Sequence, residues 1–131
     1  MRGAPTLEET VGDALAVLDA AHSQRAFVLG TSEGGAASLL LAMQRPERVR
    51  GLILLDTAAA LDAPEVLAAN QGMVDMWLAV GPVDDLAGAV AAIIIDDEVE
   101  NGTWVAKWQA RDKALMAEPA RCLLTRDDVS S

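Results

Sequence analysis

A six-residue stretch, Gly30-Thr31-Ser32-Glu33-Gly34-Gly35, limits what this chain can fold into more than any other feature. It follows the apolar run at 26–29 and precedes an amphipathic segment, so a strand has to turn sharply into a helix here. A Gly-x-Ser-x-Gly pattern in this setting lifts the serine hydroxyl above the sheet edge. Side chains at Gly30 and Gly34 would collide with neighbouring backbone in such a turn. The pattern therefore predicts Ser32 as a nucleophile.

The same stretch also fits two other interpretations. Ser32 in a glycine-rich turn is also an ordinary helix cap, because serine side chains satisfy the first N–H groups of helices. A phosphate-binding loop is disfavoured, since no lysine follows the glycines and Gly-x-Gly-x-x-Gly is absent. The strand before the turn and the helix after it favour the nucleophile.

Composition excludes several classes of function. The chain has 131 residues, which suits one compact core, and no apolar run approaches the roughly 20 residues that cross a bilayer. The amino-terminal segment lacks the apolar stretch of a secretory signal. The formal net charge of −10 disfavours contact with nucleic acid. We therefore expect a soluble, cytoplasmic protein with neither a nucleic acid nor a membrane as partner.

The metal-ligating side chains are few. Cys122 is the single cysteine and His22 the single histidine of the sequence. A disulfide framework or a zinc cluster needs several such residues at set spacings. The sequence predicts no metal site and no cofactor.

The first third of the chain alternates helix and strand. Thr6 and Glu9 form a capping box before a helix over 7–21. A strand over 26–30 leads into a helix over 33–45, and a second strand follows at 49–55. The continuous apolar run of the second strand is typical of a strand covered on both faces. Strand, helix and strand predict a right-handed parallel unit.

The rest of the chain is predicted to be helical, with breaks at Gly72, Gly81-Pro82 and Asn101-Gly102. The segment 93–98 fits either a helix end or a strand. The break near residue 57 separates an α/β part, 1–57, from a helical part, 58–131, which together suit one compact unit. The predicted helices are 64–80, 83–96, 101–117 and 119–125.

Three tryptophans, Trp77, Trp104 and Trp108, lie in the helical part. The spacing of Trp104 and Trp108 puts both on one helix face. Large aromatics in this pattern favour a core or an interface over a substrate-binding wall.

Residues 2–60 resemble the α/β-hydrolase superfamily beyond the serine turn. The stretch 5–9 looks like the start of the helix before the nucleophile strand, and 45–57 looks like the Pro-Glu-Arg-Val turn with the strand that follows it. The Ser-Glu-Gly-Gly form is similar to hydrolase-like domains that accompany nucleotide cyclases. Residues 58–131 look more loosely like a helical cap. The expected fold class is thus α/β, a partial hydrolase-like unit with a parallel sheet of about two strands and a mostly helical carboxyl-terminal half.

The resemblance implies roles for particular residues. Ser32 would be the nucleophile, the backbone N–H of Glu33 an oxyanion donor and Asp56 a possible acid, while Gly30 and Gly34 would shape the turn. The Glu33 side chain is more plausibly structural. The family's early strands with a His-Gly oxyanion loop, and its late strands with the acid and the histidine, would lie outside residues 1–131.

The general base is the weak part of this site. A strand of about five residues at roughly 3.3 Å each separates His22 from Ser32, so a bond within one chain is not expected. His22 is then either a solvated loop residue or a base that serves Ser32 of another copy. Because two short strands leave unpaired edges, we expect a homo-oligomer.

The leading functional hypothesis is serine-dependent hydrolysis of small carboxylic esters through Ser32. The alternatives are a non-catalytic hydrolase fragment that persists as an assembly, and a regulatory binding module.

Overall fold

The computed structural model describes residues 6–95, 97–125, 128 and 130, without the side chains of Glu118 and Leu123. These residues form two compact units. The first unit comprises the described residues 6–62, 125, 128 and 130. The second unit is Ala63–Leu124.

The first unit carries the strands and the serine turn. Its elements follow the sequence prediction to within one residue at each end. They are α1 (Leu7–Ala20), β1 (Ala26–Thr31), α2 (Glu33–Gln44), a 3-10 turn (Pro46–Arg48) and β2 (Val49–Leu55).

The capping box at the start of α1 is confirmed. The backbone N–H of Glu9 donates to the Thr6 hydroxyl over 3.2 Å, and the Thr6 N–H donates to the Glu9 carboxylate over 3.1 Å. Two N–H groups are thereby satisfied at the helix entrance, which fixes where α1 begins.

Strands β1 and β2 pair in parallel and form a two-stranded sheet. The register runs from Phe27 opposite Gly51 to Thr31 opposite Leu55, with one irregularity between Ala26 and Phe27. The predicted α/β class with a minimal parallel sheet is therefore confirmed.

One face of this sheet is packed and the other is bare. Val28 and Leu52 contact the core cluster of Val11, Leu41 and Val49, to which α1, α2 and β2 all contribute. The opposite face is exposed, so the prediction that β2 is covered on both faces is wrong for the described residues. The physical reason is that α1 and α2 both supply their apolar side chains to the same face. The exposed side chains there are Phe27, Leu29, Ile53 and Leu55.

The second unit is helical, as predicted. It contains α3 (Pro64–Val80), α4 (Asp84–Ile94), α5 (Glu98–Gln109), a 3-10 turn (Lys113–Met116) and α6 (Ala117–Leu124). None of the helices in the described part of the chain is long and apolar enough to cross a membrane.

The predicted breaks in this unit are right at one place and wrong at two. Gly81 ends α3 with a φ of 85°, a conformation that glycine adopts without strain. Gly72 lies within α3, and Asn101-Gly102 lies within α5. An interior glycine costs a helix only about 1 kcal/mol, which the packing of the helix can outweigh.

The start of α5 also corrects the predicted helix over 101–117. The Asp97 carboxylate accepts from the N–H groups of Val99 and Glu100, so the helix begins at Glu98 and then ends at Gln109. The ambiguous segment before it is resolved as a helix end, because α4 runs to Ile94. Asp96 lies outside the described residues.

The tryptophans form a cluster in the second unit. Trp77 is buried and meets Trp108 edge-on at 5.7 Å between ring centroids, and Trp104 lies 6.4 Å from Trp108. The burial of Trp77 agrees with the prediction of a core anchor, whereas Trp104 is 41% exposed.

Candidate active site

Ser32 has a backbone conformation that few residues other than glycine adopt. It joins β1 to α2 with φ 51° and ψ −122°. Its N–H donates to the carbonyl of Leu55 over 3.0 Å, and the Thr57 hydroxyl donates to the Ser32 carbonyl over 2.7 Å. Such strained residues persist where surrounding bonds hold them, often at functional sites. The end of β2 thus holds the serine turn from the side.

The Ser32 side chain is not a helix cap. The residue occupies the N-cap position of α2, yet its hydroxyl makes no capping hydrogen bond, and the residue is exposed. The interpretation of Ser32 as an ordinary cap therefore lacks its defining bond. The hydroxyl remains available for other chemistry.

The Glu33 N–H lies beside this hydroxyl in the chain. Glu33 is the first residue of α2, and the first N–H groups of a helix have no acceptor within it. They also lie at the positive end of the helix dipole. An N–H in this position can donate to an acceptor outside the helix.

The steric prediction for the turn glycines is half right. A Cβ at Gly30 would touch the Gly34 carbonyl oxygen and the Ser38 hydroxyl, and would lie 2.7 Å from the Gly34 carbonyl carbon. A Cβ at Gly34 would meet no atom within 4 Å, so the predicted collision there is wrong. The crowded position is Gly35, whose Cβ would lie 2.5 Å from that of Thr57. The turn closes against Thr57, which follows β2, one residue later than the sequence pattern implies.

Two supporting side chains were missed by sequence reasoning. Ser38 is buried and its hydroxyl donates to the Gly34 carbonyl over 2.7 Å. Thr57 both bonds Ser32 and packs on Gly35. A serine in the second turn of a helix, or a threonine two residues beyond a strand end, is common, so the sequence carried no signal for either.

Asp56 lies at the same edge of the sheet as Ser32. It directly follows β2, is exposed and has a φ of 46°. Its neighbours on both sides, Leu55 and Thr57, bond the backbone of Ser32. The tertiary structure thus brings the candidate acid and the candidate nucleophile to one edge.

His22 lies at the other end of β1. It follows α1, whereas Ser32 follows the sixth residue of β1, so roughly 20 Å of extended strand separates them. The His22 N–H donates to the backbone carbonyl of Asp19, and the Ser23 N–H donates to the backbone carbonyl of Leu18. These two bonds form the Schellman motif at the end of a helix. The φ of 53° at His22 belongs to this pattern, so within its own chain the residue ends α1.

A depression lies around His22, at the end of β1 far from Ser32. Arg48 crosses it, donating to the Asp19 carboxylate over 2.6 Å and to the Gln24 carbonyl over 2.9 Å. These bonds tie the loop before β1 to the turn before β2, which is a structural role. Its lining residues are Asp19, His22, Ser23, Gln24, Glu47 and Arg48. In the described part of the chain, no group of three or more His, Cys, Asp or Glu residues is placed to hold a metal ion.

A two-stranded parallel core, a strained serine between strand and helix, and an acid at the end of the next strand define a hydrolase-type architecture. The family model of the alpha/beta hydrolase fold matches residues 5–108. This chain belongs to the α/β-hydrolase fold family.

Known proteins agree with this assignment. The lipase LipV of Mycobacterium tuberculosis is 36% identical over 99 residues, which are 76% of this chain and 34% of that protein. A hydrolase structure from Pseudomonas aeruginosa superposes with a TM-score of 0.73 at 25% identity, over 97% of this chain and 49% of that one. An esterase structure from Exiguobacterium antarcticum superposes with a TM-score of 0.76 at 14% identity, over 95% of this chain and 50% of that one. The chain thus spans about a third of the lipase and about half of each solved structure.

Proposed function

We propose that this chain hydrolyses small carboxylic esters with Ser32 as the nucleophile. The observation that carries the proposal is the strained backbone of Ser32, an exposed residue whose hydroxyl makes no capping bond. The sequence similarity to a lipase supports the choice of an ester as substrate.

The chemistry follows two steps. The Ser32 oxygen attacks the ester carbonyl carbon while a base takes its proton, and the carbonyl oxygen becomes an oxyanion beside the Glu33 N–H. The bond to the alcohol then breaks, and the alcohol leaves with that proton. In the second step, water attacks the carbonyl carbon of the acyl-serine while the base takes a proton from it. The bond to the Ser32 oxygen then breaks, Ser32 takes the proton back, and the carboxylic acid is released.

The partners of Ser32 are assigned within the same proposal. Asp56 lies at the right edge of the sheet to orient a base or to stabilise its charged form. His22 lies at the wrong end of β1 to serve its own Ser32, so it acts as base only when a second copy presents it.

The experiment compares turnover of p-nitrophenyl acetate and p-nitrophenyl butyrate by the unmodified chain, by Ser32→Ala and by Ser23→Ala. Loss of a nucleophilic serine costs up to roughly 10⁶ in complete triads, and we expect at least about a hundredfold lower kcat/KM for Ser32→Ala. Ser23 lies in the loop at the far end of β1, so Ser23→Ala should retain turnover. Equal turnover of the unmodified chain and Ser32→Ala would contradict the proposal.

A second candidate is a regulatory module that binds a ligand without turning it over. The separation of His22 from Ser32 within one chain favours it. An ester or carboxylate that raises the unfolding temperature of the chain, while p-nitrophenyl esters are not hydrolysed, would support this function.

A further inference from the structure

Two carboxylates lie next to the serine, one in the sequence and one across the sheet. Glu33 directly follows Ser32, and Asp56 directly follows the last residue of β2. We propose that the negative charge of Glu33 makes the site favour esters that carry a cationic group and disfavour esters that carry a carboxylate. This inference rests on the proposed function, because it names the substrate class of the same site.

The Glu33 carboxylate is not used by the structure around it. Glu33 begins α2 and is partly buried. No hydrogen bond or ion pair within the described part of the chain involves its side chain. Its charge stabilises the N-terminus of α2 through the helix dipole, but this interaction does not neutralise the carboxylate. The charge therefore acts on any molecule that binds beside it.

The Glu33 charge is close to the Ser32 hydroxyl in every rotamer. Consecutive Cα atoms are about 3.8 Å apart, and an extended glutamate side chain reaches about 4 Å further. With about 2.4 Å for the serine side chain, the carboxylate lies within about 10 Å of the Ser32 oxygen. An ester that reacts with this oxygen therefore lies within the field of Glu33.

Asp56 adds to the same negative potential. Leu55 pairs with Thr31, and its carbonyl accepts from the Ser32 N–H, so Asp56 lies beside Ser32 across the sheet. Two charges of one sign at one edge attract a cationic ligand and repel an anionic one.

The positive charges of the first unit lie at the other edge of the sheet. The two strands are parallel and begin at the same edge, and α2 ends beside the start of β2. Roughly 15 to 20 Å of strand or helix separates this edge from Ser32. Lysine does not occur among the described residues of this unit, so its charge pattern depends on its arginines. The described arginines are Arg25, Arg45, Arg48 and Arg50.

The size of the expected effect follows from Coulomb's law. Two unit charges about 10 Å apart change an equilibrium or rate constant by about twofold in water, and by about fifteenfold at an effective dielectric constant of about 20. Removing the Glu33 charge should therefore change the preference between charged and uncharged esters by about twofold or more.

The test uses two pairs of aryl acetates in which the members of a pair have nearly the same shape. The cation para-trimethylammoniophenyl acetate is paired with para-tert-butylphenyl acetate. The anion para-carboxyphenyl acetate is paired with para-isopropylphenyl acetate. For each pair we take the ratio of kcat/KM for the charged ester to that for the uncharged ester. Comparing this ratio between two variants cancels the chemistry of the leaving group and any general loss of activity.

Glu33→Gln should lower the cationic ratio by about twofold or more at low salt and raise the anionic ratio by a similar factor. Both changes should shrink at about 1 M salt, where the Debye length is about 3 Å. Glu33→Lys should move each ratio further in the same direction. Charges elsewhere in the protein act equally on the compared variants.

Glu47→Gln is the matched control, because it removes the same charge from an exposed residue in the turn before β2. At about 20 Å from Ser32, this change should move each ratio by less than about 1.5-fold. Circular dichroism checks that each variant is folded. Unchanged ratios in Glu33→Gln, or equal changes in Glu33→Gln and Glu47→Gln, would overturn the role of Glu33.

The two proposals fail in different ways. If the unmodified chain hydrolyses the uncharged acetates and Ser32→Ala does not, the proposed function stands, and ratios that ignore Glu33 would contradict this inference alone. If the unmodified chain hydrolyses none of the four acetates, both proposals are contradicted.

Discussion

Adjacent glycines in the first turn of α2 should respond in opposite directions to the same substitution. At Gly34 an added Cβ meets no atom within 4 Å, and no positive φ stands in its way. Alanine at this position reduces the conformational entropy of the unfolded chain and has a higher helix propensity than glycine. Gly34→Ala should therefore stabilise the first unit by about 0.4 to 1 kcal/mol.

At Gly35 the added Cβ would lie 2.5 Å from the Cβ and 2.6 Å from the hydroxyl of Thr57. A short branched side chain cannot swing away as a lysine end can. Overpacking costs about 1 to 3 kcal/mol, and displacing Thr57 also weakens its 2.7 Å bond to Ser32, which is worth about 1 kcal/mol. The higher helix propensity of alanine offsets part of this loss. Gly35→Ala should therefore lower the free energy of unfolding by about 1 to 3 kcal/mol.

The assay is urea unfolding followed by far-ultraviolet circular dichroism. Tryptophan fluorescence would report the second unit, since all three tryptophans lie between residues 63 and 124. With a slope of about 1.5 kcal/mol/M, the urea midpoint should rise by about 0.3 to 0.7 M for Gly34→Ala and fall by about 0.7 to 2 M for Gly35→Ala. Midpoint shifts of the same sign for the two variants would refute the assigned closure of the turn against Thr57.

Two further substitutions test the contacts around the site. Thr57→Val keeps the packing on Gly35 but removes the hydrogen bond to the Ser32 carbonyl. The free energy of unfolding should fall by about 1 kcal/mol, and ester turnover should fall with it. Unchanged turnover would show that this bond does not position the serine. Arg48→Ala should lower the free energy of unfolding by about 1 to 2 kcal/mol, because it removes three hydrogen bonds. Asp19→Ala should lower it by less than about 0.5 kcal/mol, because the Asp19 side chain is 67% exposed. Thermal unfolding that ranks the two variants the other way would contradict the role of Arg48 in holding the two loops together.

Local signals in the sequence were enough to predict most of the first unit. The Thr6 and Glu9 capping box fixed the start of α1, and the glycine turn fixed where β1 gives way to α2. Each of these features acts through backbone bonds or dihedral preferences within a few residues. That is why they can be read from a single chain.

The misplaced breaks arose where tertiary packing outweighs local preference. Gly72 and Gly102 have the composition of helix breaks, yet both lie inside helices. Their local cost is about 1 kcal/mol each. The burial of Trp77 on α3, and the Asp97 cap and the Trp108 contact of α5, are each large enough to offset it. A single sequence does not show which weak break will be overruled.

The sequence by itself determined the family and the position of the strained serine, because a strand, a glycine turn and a helix are specified by neighbouring residues. Only the tertiary structure decided that Gly35 rather than Gly34 is crowded, that Thr57 holds the Ser32 carbonyl, and that one sheet face is bare. These facts depend on how β2 and the two helices lie against β1, which involves residues some 25 positions apart in the chain. Contacts at that separation follow from packing, and no local pattern encodes them.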